Sequence, residues 1–135
     1  MDTNTSKEYL ALIADKRRSV RTDKLTIISK LSVDNNTWTS IGVSDISAGG
    51  LLFRSNKQLE NGASVWFDLR IEPLIPIKHS QMHVKAQGKV LLSRDSYIGT
   101  SVYAAKFTEI EPSCEAELDM LIHQIYEKYG AGYPD

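Results

Sequence analysis

From Leu25 onward the chain shows short apolar and β-branched runs separated by polar turn residues, the pattern of an antiparallel β domain. Leu25 to Leu31 forms the first run, and Asp34-Asn35-Asn36 supplies turn chemistry after it. Thr37 to Ile46 predicts the returning strand, with Trp38, Ile41 and Val43 apolar. Ser47-Ala48-Gly49-Gly50 breaks that strand, and Leu51-Leu52-Phe53-Arg54 starts another. Asn61-Gly62 marks a turn, and Ser64 to Ile71 then nearly alternates. Pro73 and Pro76 make Glu72 to Lys78 a loop or strand edge, because proline lacks the N–H a ladder needs. His83 to Leu92 predicts a further strand, bulged at Gly88. After a turn around Asp95-Ser96, Tyr97 to Phe107 is the last. Six or seven short strands with no helical repeat between them suggest a barrel or a sandwich.

The period changes at both ends. Leu118, Leu121, Ile122, Ile125 and Tyr129 follow the spacing of one apolar helix face. Pro112 suits the first turn of that helix, Lys128 the last, and Gly130 its stop. At the other end, Thr5-Ser6-Lys7-Glu8 has the spacing of a capping box and predicts a short helix from about Ser6 to Ala14. The expected organisation is an N-terminal arm over 1–14, one domain over 15–130 and a loose tail over 131–135.

Composition narrows the classes. The 135 residues, 41% hydrophobic and 24% charged, are those of one soluble domain, and a net charge of −1 argues against polymeric nucleic acid held by bulk charge. Cys114 is the single cysteine, so an intrachain disulfide is excluded and a reducing compartment is expected. The apolar run Tyr9 to Ala14 is too short to span a bilayer and lacks the features of a secretory signal. The reading is a cytoplasmic protein without membrane insertion.

Against that near-neutral background, Lys16, Arg17, Arg18 and Arg21 place four cations within six positions. Such a run is either a solvated basic segment or a local anion clamp. Arg17 and Arg21, four apart, would meet one anion from a helical turn or tight bend. Asp45-Ile46-Ser47-Ala48-Gly49-Gly50 reads Asp-x-Ser-x-x-Gly at a strand end. It is either a strand-to-turn junction, held by Asp and Ser bonds to backbone, or a set of acceptors for a flat polar ligand. A carboxylate accepts the N1–H and N2–H of guanine, and glycine lets a purine approach the main chain.

Arg-x-x-x-Arg followed by a strand pair and Asp-x-Ser-x-x-Gly resembles the PilZ domain family, through Arg17 and Arg21, then Asp45, Ser47 and Gly50. Gly50-Leu51-Leu52-Phe53, the late Ala104-Ala105-Lys106-Phe107 and the final helix extend the likeness from about Asp15 to Tyr129. The resemblance implies a mainly β fold, a six-stranded antiparallel barrel with a C-terminal helix and a short N-terminal helical arm. It implies a non-catalytic receptor for cyclic di-GMP. Arg17 and Arg21 would clamp phosphates and guanine Hoogsteen edges, and Arg18 would add a phosphate or stacking contact. Asp45 and Ser47 would hydrogen-bond a guanine, with Gly49 and Gly50 leaving room for it. Lys16, just before the first arginine, leans the stoichiometry towards an intercalated ligand pair. An arm ordered by ligand would change the surface shown to a downstream protein, and homodimerisation stays open. The family often carries a glycine in the last strand, where this chain has Ala104-Ala105.

Other constellations weigh less. His79 and His83 have the spacing of a helical zinc pair, but Pro76 and the strand pattern argue against a helix, so no metal site is expected. Asp119 and His123 share a helix face without a nucleophile. Cys114 stands at a helix N-terminus, where a thiol pKa tends to fall, although packing is the plainer role. Trp38 and Trp66 read as core or barrel-surface residues more than stacking platforms. Two rival functions are an adaptor of the same fold that binds no nucleotide, and a small barrel for RNA or single-stranded DNA. The second would want aromatics interleaved with a broad basic groove.

Overall fold

A computed structural model of the chain describes residues 19–74, 81–95 and 100–130. The strands are β1 (Ser19–Arg21), β2 (Leu25–Ser32), β3 (Thr39–Ser47), β4 (Gly50–Ser55), β5 (Ser64–Pro73), β6 (Met82–Asp95) and β7 (Ser101–Ile110). A 3-10 turn, Thr22–Lys24, follows β1, and helix α1 runs Pro112–Tyr129. The strand order β1-β3-β2-β5-β6-β7-β4, with a further β3–β4 pairing, closes β2 to β7 into a six-stranded antiparallel barrel. β1 lies outside that ring, paired with β3.

Alternation drives the closure. Along β5, Val65, Phe67, Leu69 and Ile71 are buried while Ser64, Arg70 and Glu72 are exposed, so one face fills the barrel and the other meets water. Phe53 packs edge-on to Phe67 at 5.5 Å and stacks on Tyr103 at 5.4 Å, and Phe67 meets Phe107 at 6.0 Å. Leu118, Leu121, Ile122 and Ile125 of α1 join the same apolar cluster as Val20 and Leu25. Tyr129, expected on that apolar face, is instead 41% exposed, with the ammonium of Lys24 at 5.4 Å from its ring centre.

Several turns follow from local chemistry. The Asp34 carboxylate accepts from the Asn36 and Thr37 N–H groups at 2.8 and 2.7 Å and from the Ser32 hydroxyl at 2.9 Å, while Asn35 takes a φ of 61°. These donors hold the Asp34 carboxyl at a pKa of about 2. Gly62 (φ 85°) and Gly130 (φ 74°) occupy the left-handed region expected of a turn glycine and a helix stop. The expected bulge beside Gly88 is present as a register shift between Gln87 and Gly88. β5 continues through Pro73, which pairs with Leu25, and the Leu74 N–H then donates to the Lys24 carbonyl at 2.9 Å. The expected helix over Ser6–Ala14, the arm, the tail and the Pro76 segment lie outside the described residues.

Candidate ligand-binding site

The last three residues of β3 are the only part of that strand flanked by both β1 and β4, among the described pairings. Ser19, Val20 and Arg21 stand opposite Ser47, Ile46 and Asp45 on one side. Gly50, Leu51 and Leu52 stand opposite Ser47, Ile46 and Asp45 on the other. Directly opposed residues of an antiparallel pair project to the same face with Cβ atoms roughly 5 Å apart. The last residue of the basic motif and the first of the Asp-x-Ser-x-x-Gly motif are therefore immediate neighbours, although 24 positions separate them (45 − 21). Arg21 reaches this place in an extended conformation, φ −71° and ψ 153°, at the end of a strand. The helical turn considered for its approach is not formed there.

A β-bulge sits just before the motif, where the β3–β4 register shifts between Val43 and Asp45. The extra residue bends the strand and re-aims the side chains after it. Two hydroxyls pin this irregularity. Thr22 Oγ1 donates to the carbonyls of Val43 at 2.9 Å and Ser44 at 3.3 Å, tying the 3-10 turn after β1 to the bulge. Ser44 Oγ donates to Asp45 Oδ2 at 3.1 Å. Neither residue stands out in the sequence, because their partners are a backbone irregularity and a side chain that the fold aligns.

Asp45 is 4% exposed, and its Oδ1 has no hydrogen-bond partner among the described residues. Burial pushes its carboxyl up to about pKa 6, against the opposing pull of the Ser44 hydroxyl and the positive charge of Arg21. A buried carboxylate with one unsatisfied oxygen is an expensive arrangement in a free protein and a good acceptor for donors brought by a ligand.

Ser47 is fully buried and shapes the turn. Its Oγ accepts from the Gly49 N–H at 3.1 Å and the Gly50 N–H at 3.2 Å, and donates to the Gly50 carbonyl at 3.4 Å. The Gly49 carbonyl accepts from the Phe107 N–H at 2.9 Å, which ties the turn to β7. At Gly50 a Cβ would overlap the Ala105 carbonyl oxygen, so this glycine answers to close packing of β4 on β7. Its register partner on β7 is Lys106. Lys16, Arg17 and Arg18 lie outside the described residues.

Beside β1, a recess of about 150 Å³ runs between Arg21, Lys24 and the end of α1 at Tyr129. That is small for a nucleotide-sized ligand, which occupies roughly 300–1,000 Å³. The described part of the site is accordingly an open rim. Of the other constellations, His123 faces Glu127 at 3.9 Å, His79 lies outside the described residues, and no metal-binding cluster occurs among the described ones. The Cys114 thiol lies 3.8 Å from the His83 carbonyl, and burial with the nearby charges of Glu111 and Glu117 raises its pKa, opposite to the helix-terminus expectation. Among the described residues no helix is long and apolar enough to cross a membrane.

Comparison with solved structures finds this barrel in several bacterial proteins. The inhibitor of motility MotI/DgrA of Bacillus subtilis superposes with a TM-score of 0.66 at 17% identity, over 84% of this chain and 53% of that one. YcgR of Escherichia coli in complex with c-di-GMP gives 0.60 at 13% identity, over 84% and 46%. The PlzA protein of Borreliella burgdorferi in complex with c-di-GMP gives 0.56 at 9% identity, over 98% and 60%. This chain thus spans about half the length of the first two. No curated protein matches it by sequence. The family model for the PilZ domain matches residues 15–124, a span that holds both motifs, the whole barrel and most of α1. With the rim built where β1 meets β3 and the barrel closed behind it, the chain belongs to the PilZ domain family.

Proposed function

We propose that this PilZ-family chain is a non-catalytic receptor for cyclic di-GMP. The observation that carries the reading is the pairing of Arg21 with Asp45 across β1 and β3, with Asp45 Oδ1 buried and unpartnered. Guanine offers N1–H and N2–H to a carboxylate on one edge and O6 and N7 to a guanidinium on another. The Arg21–Asp45 pair supplies both complements, and its partial burial strengthens each charge-assisted bond. The c-di-GMP complexes of YcgR and PlzA, which share the fold, support the same ligand.

In this reading Arg17 and Arg21 clamp phosphates and guanine edges, Arg18 adds a phosphate or stacking contact, and Lys16 favours a stacked ligand pair. Asp45 holds the base. Ser47, whose hydroxyl is engaged by the Gly49 and Gly50 amides, keeps the turn in the shape that presents Asp45, and Gly49 and Gly50 keep the rim low. Ligand joins the segment before β1 to the barrel, and the altered rim is what a downstream protein reads.

Calorimetric titration of wild type, Arg21→Ala and Asp45→Asn with cyclic di-GMP tests this. Losing one charge-assisted contact costs on the order of 1.5–3 kcal/mol, so each variant is expected to bind roughly ten- to a hundredfold more weakly. Absence of heat with wild type overturns the receptor reading and leaves the nucleotide-free adaptor. Equal affinity in all three proteins overturns the site assignment alone. Two ligands per chain support the role given to Lys16.

A further inference from the structure

A second recess lies on the outer wall of the barrel, away from the β1–β3 rim. Its backbone is a lateral row of residues in register: Ser32 on β2 opposes Trp66 on β5, Trp66 opposes Gln87 on β6, and Gln87 opposes Glu109 on β7. Opposed residues share a face, and Trp66 stands between the buried Val65 and Phe67, so Trp66, Gln87 and Glu109 point outward, while Ser32 at the start of the row is buried. The turn between β2 and β3 brings Trp38, 38% exposed, into the same recess, which measures about 670 Å³. The two tryptophans of the chain therefore line one groove. Neither belongs to the apolar cluster that holds the barrel together.

The charges in the groove are graded. At one end Asp68 is engaged by His83 Nε2 at 2.6 Å, with Lys85 opposite it in register. At the other end Glu109 and Glu111 are exposed carboxylates, and no ion pair to either occurs among the described residues. Two indoles ending at two exposed carboxylates complement a group that is planar, cationic and rich in fork-shaped donors. The guanidinium is that group: it stacks on tryptophan and bonds a carboxylate bidentately, whereas an ammonium does only the electrostatic part. Tryptophan and arginine are also the residues that dominate binding energy at protein interfaces.

We propose that this groove is a docking surface for an arginine-bearing segment of a partner protein, with the guanidinium over the indoles and against Glu109 and Glu111. Trp38 precedes Asp45 by about seven residues of extended chain, roughly 20 Å, so the groove and the rim are separate and one chain has room to engage both. The proposal stands whether or not the rim binds a cyclic dinucleotide.

The tryptophans make the test direct, since emission from the intact protein reports on this groove. The full chain is titrated with acetylated hexa-arginine, hexa-lysine and hexa-glutamate. Hexa-arginine is expected to give a saturable change in emission, at least about threefold tighter than hexa-lysine, and hexa-glutamate none. The surface double substitution Glu109→Gln with Glu111→Gln is expected to weaken hexa-arginine roughly three- to tenfold, with the unfolding midpoint of the free protein unchanged. Trp38→Ala is expected to weaken it to a similar degree. A missing arginine response, equal binding of lysine, binding of hexa-glutamate, or an unaffected double variant each overturns the proposal. So does a dimer, seen by sedimentation and lost in Trp38→Ala, which would assign the groove to a second copy of the chain.

Discussion

Tyr103 and Asp45 are both buried polar residues of one barrel, 1% and 4% exposed, and their surroundings treat them in opposite ways. The Tyr103 hydroxyl donates to the Lys57 carbonyl at 2.9 Å and accepts from the Leu59 N–H at 3.1 Å, while its ring stacks on Phe53. Among the described residues, Asp45 receives one bond from Ser44 on Oδ2 and nothing on Oδ1. Inside the barrel, Tyr103 is satisfied as both donor and acceptor. The rim retains an acceptor that folding alone leaves incomplete. The proposed role of Asp45 in holding a ligand accounts for this difference.

The largest way to break the comparison is inside. Phe53→Ala removes a ring that contacts both Phe67 and Tyr103, and a loss of about 3–5 kcal/mol in chemical denaturation is expected. A cost under about 1 kcal/mol would mean that the aromatic cluster does not hold the barrel.

At the rim the sign reverses. Asp45→Asn removes a buried charge while keeping an acceptor for Ser44, so the free protein is expected to gain about 1 kcal/mol at pH 7 even as cyclic di-GMP binding falls. The pH profile follows. The Asp45 carboxyl titrates near its ordinary value of 3.8 when unfolded and at about 6 when folded, so the folded state binds more protons between these values. Stability should decline as pH rises from about 4 to 6, and Asp45→Asn should flatten that interval. Ligand affinity should decline in the other direction, as pH falls through about 6 and the acceptor is protonated. Asp34 provides the internal contrast: with a folded pKa of about 2, it stabilises above the unfolded value of 3.8, and that contribution fades as pH falls towards 2. An Asp45→Asn profile that superposes on wild type between pH 4 and 6 would sink the assignment.

The smallest expected effect sharpens the boundary between the two regions. Thr22→Val removes the hydroxyl that bonds the carbonyls of the bulge, and a loss of about 0.5–1.5 kcal/mol in thermal unfolding is expected. If Thr22 positions Asp45, nucleotide affinity should fall by a few-fold as well. A stability loss with unchanged affinity would confine Thr22 to the fold.

Most strands were legible because their residues carry a local period: β5 alternates, Asp34 and Asn35 turn the chain, and Gly130 stops a helix whose apolar face repeats every three to four residues. β1 was not, since three residues inside a basic run show no period, and only the edge of β3 makes them a strand. Likewise the extension of β5 through Pro73 depends on Leu25 lying opposite, where the last pair of the ladder tolerates a missing N–H.

By itself the sequence determined that this chain would close a small β structure under one helix, and that Arg21, Asp45 and Ser47 are candidates for chemistry, because side-chain type and local period are one-dimensional properties. The tertiary structure decided what those residues do to one another. Register set Arg21 against Asp45, burial left one carboxylate oxygen unsatisfied, the turn engaged the Ser47 hydroxyl, and the approach of β7 made Gly50 a packing requirement. It also gathered Trp38 from a turn, Trp66 from β5 and Glu109 from β7 into one groove. Apart from the local turn at Ser47, each of these is a non-local contact, made by strand pairing and barrel closure.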